Sequence, residues 1–398
     1  MQTSGRKFPA KLAYSDRFNW QWAAPFIGIH VAALGAFWTG FTSTAVIICV
    51  SLYALRVFAI TAGFHRYFAH RSFKTGRVFQ FVLAFLGGAS LQRGALWWAA
   101  KHREHHRFSD QPEDAHSPRQ YGFWDSHIGW IFRDARQQAD LALIPEMTKY
   151  PELMWLNKYH MVPGMVLGTL SFLIGGLPGF FAGFLLSTVL VYHATFLVNS
   201  LAHVVGRQRY LTGDDSRNCW WIALLTFGEG WHNNHHYYAA SARQGFRWYE
   251  LDITYLILKL LARFGIVWDL QAPPEQVVSG ERRPSKIVIE KTAGHLAASF
   301  SVDKLVEQIQ LAWSQSDQAR HLEELTGRAR QAREDAEAYF AEIELPSMPS
   351  VEDMRNKAHK MFARVPALDV AIERAREKLH SNVVMKLLED MQPAAAKA

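Results

Sequence analysis

The sequence predicts an all-α integral membrane protein of four transmembrane helices in two hairpins, with a helical cap on the cytoplasmic side. Three observations carry that prediction: two long stretches without a charged side chain, basic residues at their ends, and a highly charged C-terminal third.

From Phe18 to Leu55, and again from Tyr159 to Gly206, there is no Asp, Glu, Lys or Arg. Runs of 38 and 48 residues each hold two helices of about 20 residues and a tight turn, and are rare in water-soluble folds. Spans are expected near 20–38, 43–64, 160–177 and 179–203. The turns are TGFTS (39–43) and GGLPG (175–179), uncharged and rich in turn formers. Arg6, Lys7, Lys11 and Arg17 precede the first hairpin, Arg71, Lys74 and Arg77 follow it, and Lys158 and Arg207 bracket the second. Positive charge marks the cytoplasmic side, so both termini and the segment between the hairpins are expected there. The N-terminus is polar and basic and the first apolar run is of full span length, so no cleavable signal peptide is expected.

Two shorter apolar runs, 79–92 and 218–228, are too short to span. They read as interfacial helices with Trp97, Trp98, Trp220 and Trp221 at headgroup depth, or as core helices of the cytoplasmic part. After Pro273 and Pro274 the composition changes. The expected organisation is a membrane domain over 1–272, a linker over 273–285 and a charged helical C-terminal tail over 286–398, with helices near 302–344, 351–364 and 367–391. The tail carries no catalytic pattern and reads as a solvated appendage or partner-binding arm.

The net charge is +7, and residues 281–398 carry 18 basic and 19 acidic side chains, so the excess belongs to residues 1–280. A basic membrane domain suits anionic lipid headgroups or a phosphorylated thioester carrier. Nucleic acid is not expected as a partner, because no nucleic-acid motif accompanies the charge. Cys49 and Cys219 are the only cysteines and lack CxxC spacing, which excludes a disulfide framework or a zinc ribbon.

The chemistry lies in the histidines. HREHH puts His102, His105 and His106 on one helical face, and HNNHH does the same for His232, His235 and His236. His65 and His70 are five apart, about 140° on an α-helix, and converge only if the helix frays or the pair wraps a site larger than one ion. His203 stands at the cytoplasmic end of the fourth span. All these imidazoles fall at the same membrane level. Gathered without metal they would repel on protonation, so bound metal is the simplest explanation. One tetrahedral zinc takes at most four ligands, whereas nine histidines suit two ions, and a histidine-rich, carboxylate-poor set suits oxygen-activating iron.

HRYFAH, HREHH and HNNHH resemble the three histidine boxes of the membrane fatty acid desaturases. The frames AGFHRYFAHRSFK, HREHHRFSD with SHIGW, and GEGWHNNHH resemble the acyl-CoA Δ9, stearoyl-type branch, over roughly residues 20–270. The segment QRGALWWAAK before the second box departs from the animal members and is similar to bacterial ones.

The resemblance implies four spans under a cytoplasmic cap, in a bacterial inner membrane with the active site on the cytoplasmic side. It implies two Fe2+ ions held by His65, His70, His102, His105, His106, His203, His232, His235 and His236, with Asn199 completing one shell through a water. The implied reaction is O2-dependent cis desaturation, at Δ9, of a saturated fatty acyl chain carried on CoA. The alternatives are an acyl-lipid desaturase or a fatty acyl hydroxylase of the same superfamily. A metal-binding sensor or transporter is disfavoured because the histidines sit at span ends and not along a path through the bilayer. Neither an HPGG haem motif nor a Gly-rich nucleotide motif is present, so electrons are expected from an external donor, a ferredoxin or a cytochrome b5-like protein.

Of the other nine histidines, His30 and His193 lie inside spans without metal-ligand spacing and read as structural, while His127 reads as a support behind the ligands. If the methyl end of the acyl chain runs about 10 to 18 Å beyond the metals, it reaches 7 to 12 residues before His65 on the second span. Tyr53 and Phe58 are the bulky side chains in that window and are expected to cap the tunnel.

Overall fold

Apolar side chains wind into three helical stretches long and apolar enough to cross a membrane, Trp20–Thr39, Ser43–Ala69 and Val162–His203, with Pro25 inside the first and Gly176 and Pro178 inside the third. In this computed structural model, residues 17–314, 338, 340, 344–365 and 367–390 are described. The chain divides into two compact units, Met1–Arg209 with Asp215–Ser279, and Tyr210–Asp214 with Gly280–Ala398.

In the first unit, α1 (Trp20–Ala33) starts where the Asn19 side chain accepts from the Gln21 N–H, and α2 (Ser43–Phe58) where Thr42 accepts from the Ala45 N–H. The α2 helix runs on into Ala59–Ala69, which is wound as a π-helix and buried throughout. Its central Arg66, 1% exposed, is tied to Glu229 (3.0 Å), Asp252 (3.1 Å) and the Ala242 carbonyl (2.6 Å).

Two helices, α3 (Arg77–Gly88) and α4 (Ala95–Phe108), then pack around this segment, and the Asn157 side chain caps α4 by accepting from the Trp97 N–H at 2.9 Å. Both runs expected to be interfacial or core are helical and two-faced. In α3, Val78 is 80% exposed while Leu83 is buried, and in Trp220–Leu225, Trp220 is 69% exposed while Ile222 is buried.

The third apolar stretch holds α5 (Val162–Pro178), a π-helical turn over Gly179–Leu185 and α6 (Leu186–Asn199). Its 42 residues would extend about 63 Å if straight, twice the hydrocarbon thickness of about 30 Å. The helix breaks at Gly176 (φ 61°, ψ −150°), a conformation open essentially to glycine alone. Beyond it the chain doubles back, with Gly179 against the Ser171 carbonyl and Gly168 against the Phe184 ring.

After α6 come α7 (His232–Tyr237) and α8 (Ile253–Arg263), the latter capped by Asp252 accepting from the Tyr255 N–H. A two-residue antiparallel pair joins β1 (Lys74–Thr75) to β2 (Val267–Trp268).

The second unit contains α9 (Lys286–Ala298), α10 (Val302–Ser314), α11 (Val351–Met361) and α12 (Leu368–Asp390). Of the helix expected over 302–344, residues 315–337, 339 and 341–343 lie outside the described residues. The unit has a true apolar core, in which Leu296, Ile309, Met354, Ile372 and Leu379 cluster with Leu211 from the 210–214 segment. Leu379→Ala empties a fully buried site at the centre of α12. The expected cost of about 2–5 kcal/mol should be read as faster hydrogen exchange across α9 and α12 in the full chain.

Candidate metal centre

The histidines separate into two groups. His65, His70, His102, His106 and His235 form one and His105, His203, His232 and His236 the other, with ligand nitrogens inside each group within 4.8 Å of one another. Local winding explains how they meet. The His70 N–H bonds to the His65 carbonyl at 3.1 Å, an i→i+5 bond. In this π-wound segment residues five apart stand one turn apart, and the two rings lie 4.9 Å centre to centre. Neither fraying nor a larger site is needed.

Arg103 binds the segment to α4 by donating to the Ala69 and Leu143 carbonyls, each at 2.7 Å. Gly230 gives α7 its position: the Gly230 carbonyl accepts from the Cys219 N–H at 2.8 Å, and a Cβ there would strike the Ala223 nitrogen. The two asparagines of HNNHH face away from the histidines. Asn233 accepts from the Arg209 N–H at 2.7 Å, and Asn234 donates to the Gln244 carbonyl at 2.9 Å and to Glu250 at 2.8 Å.

In the first group the Nε2 atoms follow one another closely: His70 to His102 2.9 Å, His102 to His106 3.0 Å, His106 to His235 2.8 Å, and His235 to His65 2.9 Å. In the second, Nε2 of His203 and of His232 are 3.0 Å apart. Carboxylates fix the other face of three rings. His65 Nδ1 pairs with Glu229, His105 Nδ1 with Asp114 at 3.0 Å, and His203 Nδ1 with Asp110 at 2.9 Å. Each of these nitrogens therefore carries the proton, and Nε2 presents a bare lone pair. Lone pairs converging at 3 Å repel in the absence of a cation. That spacing is the edge of a coordination polyhedron with imidazole–metal bonds of about 2.1 Å, since √2 times that length is about 3.0 Å. The residues present fit metal.

Electrostatics favour the same state. Burial first, and then the charge of neighbouring imidazoles, push His70, His102, His106 and His235 well below the ordinary histidine range. Burial opposes ionisation of Asp114 and Glu229, yet His105 and His116 hold the first below the usual carboxylate range, and His65 and Arg66 do so for the second. Asp110, Asp114 and Glu229 were not singled out from the sequence. The available signal was a carboxylate a few residues from the second and third histidine boxes: Asp110 in HREHHRFSD, Asp114 four residues further on, and Glu229 in GEGWHNNHH.

Two cavities adjoin the histidines. The larger, about 420 Å³, is walled by Trp22, Phe26, Trp97, Trp130, Tyr192 and Phe196, with Arg93 and Lys101 among its polar members. A small one lies against Val57, Ile60, Thr61, Ala194 and Val198. Trp98, His102, Thr195 and Asn199 border both. Neither Tyr53 nor Phe58 lines either of these two cavities. Tyr53 packs behind Val57 and Ile60 with its hydroxyl on the Leu225 carbonyl at 2.8 Å, whereas Phe58 packs into the core around Phe64 and Phe68. His127 bonds to Ser200 and His193 and to none of the nine histidines.

The sequence profile of the fatty acid desaturases matches residues 41–269, more than half of the chain. The chain belongs to the fatty acid desaturase family. It is 39% identical over 262 residues to an sn-1 stearoyl-lipid 9-desaturase of Synechocystis sp., an alignment covering 64% of this chain and 81% of that protein. A protein of the same description from Anabaena variabilis is 40% identical over 261 residues, 64% of this chain and 94% of the relative. An acyl-CoA 5-desaturase of Anemone leveillei is 38% identical over 252 residues, 62% of this chain and 78% of the relative. The protein is thus a fatty acyl desaturase, an oxidoreductase of lipid metabolism.

Two outcomes follow for the desaturase. Glu229→Gln and Asp110→Asn should each weaken metal retention about 10- to 100-fold, measured by metal analysis after dialysis against graded chelator. The second outcome concerns acid. The buried histidines have folded values below the unfolded value of about 6.5, so the unfolded chain binds more protons between the two. Stability of the metal-free protein should therefore fall as pH drops below about 6.5, read by thermal unfolding in detergent from pH 8 to 5.

Proposed function

We propose that this desaturase introduces a cis double bond at position 9 of a saturated fatty acyl chain carried as a CoA thioester. The nine histidines hold two ferrous ions, and Asn199 completes one shell through a water. The observation that carries the reading is the shared wall: His102, one of the imidazoles, borders both cavities beside Trp98, Thr195 and Asn199.

Bound there, two irons would supply the oxidising power that, with O2, two external electrons and two protons, removes two hydrogens from adjacent carbons and yields two waters. The chain's own residues prepare the rest. Asp110, Asp114 and Glu229 hold the Nδ1 protons of His203, His105 and His65, which keeps each ring turned inward and its Nε2 bare. The acyl chain lies along the larger cavity, where aromatic rings exclude water from the reacting carbons. Trp98 and Thr195 set which methylene faces His102, and the methyl end enters the small cavity between Val57, Ile60 and Val198. Tyr53, packed behind Val57 and Ile60, closes that end.

The proposed topology is four spans in two hairpins under a cytoplasmic cap in a bacterial inner membrane. The reversal at Gly176, which turns a 42-residue apolar stretch too long for a single crossing back on itself, and the basic residues flanking the apolar runs support it. The electron donor is an external ferredoxin or cytochrome b5-like protein.

The basic excess of residues 1–280 favours a phosphate-rich carrier such as CoA. A lipid-linked acyl chain is the second reading, favoured by the two stearoyl-lipid 9-desaturase relatives and by the exposed Gln21, Pro25 and Met161 on the larger cavity's wall. Purified protein with a reducing system should be offered stearoyl-CoA and stearoyl phospholipid vesicles separately. Loss of two hydrogens, at carbons 9 and 10 by mass spectrometry, is expected from the CoA ester. Product from the vesicles alone selects the second reading, and gain of oxygen would overturn desaturation.

Replacing His102, His105, His232 or His235 with Ala should reduce product to a few per cent or less in properly inserted protein. Tyr53→Ala should extend preference to longer acyl chains at unchanged double-bond position, whereas Phe58→Ala should leave the chain-length profile as it is.

A further inference from the structure

Three histidines outside the two groups form a line of their own. Nδ1 of His30 stands 2.8 Å from the Phe26 carbonyl, and its Nε2 3.2 Å from Nε2 of His193. Nδ1 of His193 is 3.0 Å from Nε2 of His127, and Nδ1 of His127 is 2.9 Å from the Ser200 hydroxyl. The hydroxyl is also 2.8 Å from the Phe196 carbonyl. The line therefore has five links, with a carbonyl oxygen at each end.

A carbonyl only accepts, so each link needs one hydrogen and five links need five. Three neutral imidazoles and one hydroxyl supply four. Starting from Phe26 the order is forced. His30 donates from Nδ1 and accepts at Nε2, His193 donates from Nε2 and accepts at Nδ1, and so does His127. The Ser200 hydroxyl must then donate to His127, and the link to Phe196 is vacant. The vacancy is cheap, because the Phe196 carbonyl already accepts the Ser200 N–H at 3.0 Å. One added proton fills all five links: His127 donates from both nitrogens, and the hydroxyl turns to Phe196.

We propose that this line is a one-proton carrier serving the desaturase site, loaded at His127 by way of the short helix Phe123–His127 and unloaded when the adjoining cavities consume protons. The proposal rests on the reading above, in which each turnover takes up two protons. Loading adds a proton to the His127 Nδ1 lone pair, unloading removes it, and no other covalent bond changes.

Placement supports the role. Trp124 of that helix is exposed while His127 is buried, Ser200 follows Asn199 directly, and Ser126 donates to the Asn199 carbonyl at 3.3 Å. Phe26, Tyr192 and Phe196 line the larger cavity. The ionisable neighbours on the packed elements are engaged elsewhere. Asp125 is paired with Arg133 and Arg136, the Tyr192 hydroxyl donates to the Leu91 carbonyl, and the His116 ring faces Asp114, with Nδ1 3.7 Å from the carboxylate. Burial holds His127 on the neutral side of its ordinary range, opposed by the Phe196 carbonyl, so the proton is carried and not kept.

Two measurements on the full chain test the proposal. In zinc-loaded, 15N-histidine-labelled protein in lipid nanodiscs, acid should add one proton to His127, with the His193 and His30 resonances moving in the same transition. His193→Phe should remove that coupling. In turnover, His193→Phe and the milder His30→Gln should each lower kcat at least about 10-fold at pH 8, move the alkaline limb to lower pH and raise the solvent isotope effect, with KM and metal content unchanged. Three independently titrating rings, or an unchanged pH profile and isotope effect in either folded variant, would overturn the carrier. A wild-type protein that makes no double bond would instead sink the desaturation reading, and the nanodisc measurement would still be readable.

Discussion

A hydrogen bond from an imidazole Nδ1–H to a buried carboxylate is the interaction on which the first unit turns. It is made by His65 with Glu229, His105 with Asp114 and His203 with Asp110, and it fixes both the tautomer and the direction of the lone pair. Ionised carboxylates in such a place need compensation. Glu229 has it in Arg66, which also grips Asp252, and Asp114 lies between His105 and His116. The scaffold holding these pairs is correspondingly polar inside: Arg103 on two carbonyls, Asn233 and Asn234 on the backbone around α7. Cations in the two histidine groups would add positive charge on the far side of each of these rings from its carboxylate.

This polar scaffold is attached to the ends of apolar helices, and the joint is made by unusual winding. The last eleven residues of Ser43–Ala69 are π-wound, and their tighter stacking of residues five apart turns an apolar helix into a ligand-bearing one without a loop between. Gly176 performs the reversal elsewhere that a loop would otherwise need. Few connections are left in which backbone polar groups would face lipid unpaired.

Much of this was legible in the residues. Spacings of three and four marked the two HxxHH triads, because that period is set by the α-helix itself, and the uncharged runs marked the apolar helices. The five-residue spacing of His65 and His70 was a puzzle, since nothing in a local sequence announces π-winding that depends on a buried Arg66 and its distant partners Glu229 and Asp252. The carboxylates behind the histidines were within sight but undistinguished from ordinary acidic residues until their partners came together. Which neighbours Tyr53 and Phe58 meet depends on helix rotation, which residue counting does not supply. His30 and His193 read as isolated because they meet each other across 163 residues of chain, and His193 meets His127 across 66.

The membership of residues 210–214 in the second unit has a consequence for biosynthesis. Leu211 packs in a core whose other members begin at Ala293 and end at Leu388. At a translation rate of about 5–20 residues per second, the ribosome needs roughly 10 to 35 s to travel from residue 214 to the end of α12. For most of that interval, from residue 236 onward, every histidine of both groups has been made, yet residues 210–214 have no finished core to join. The last part of the chain to be synthesised thus completes a segment in its middle.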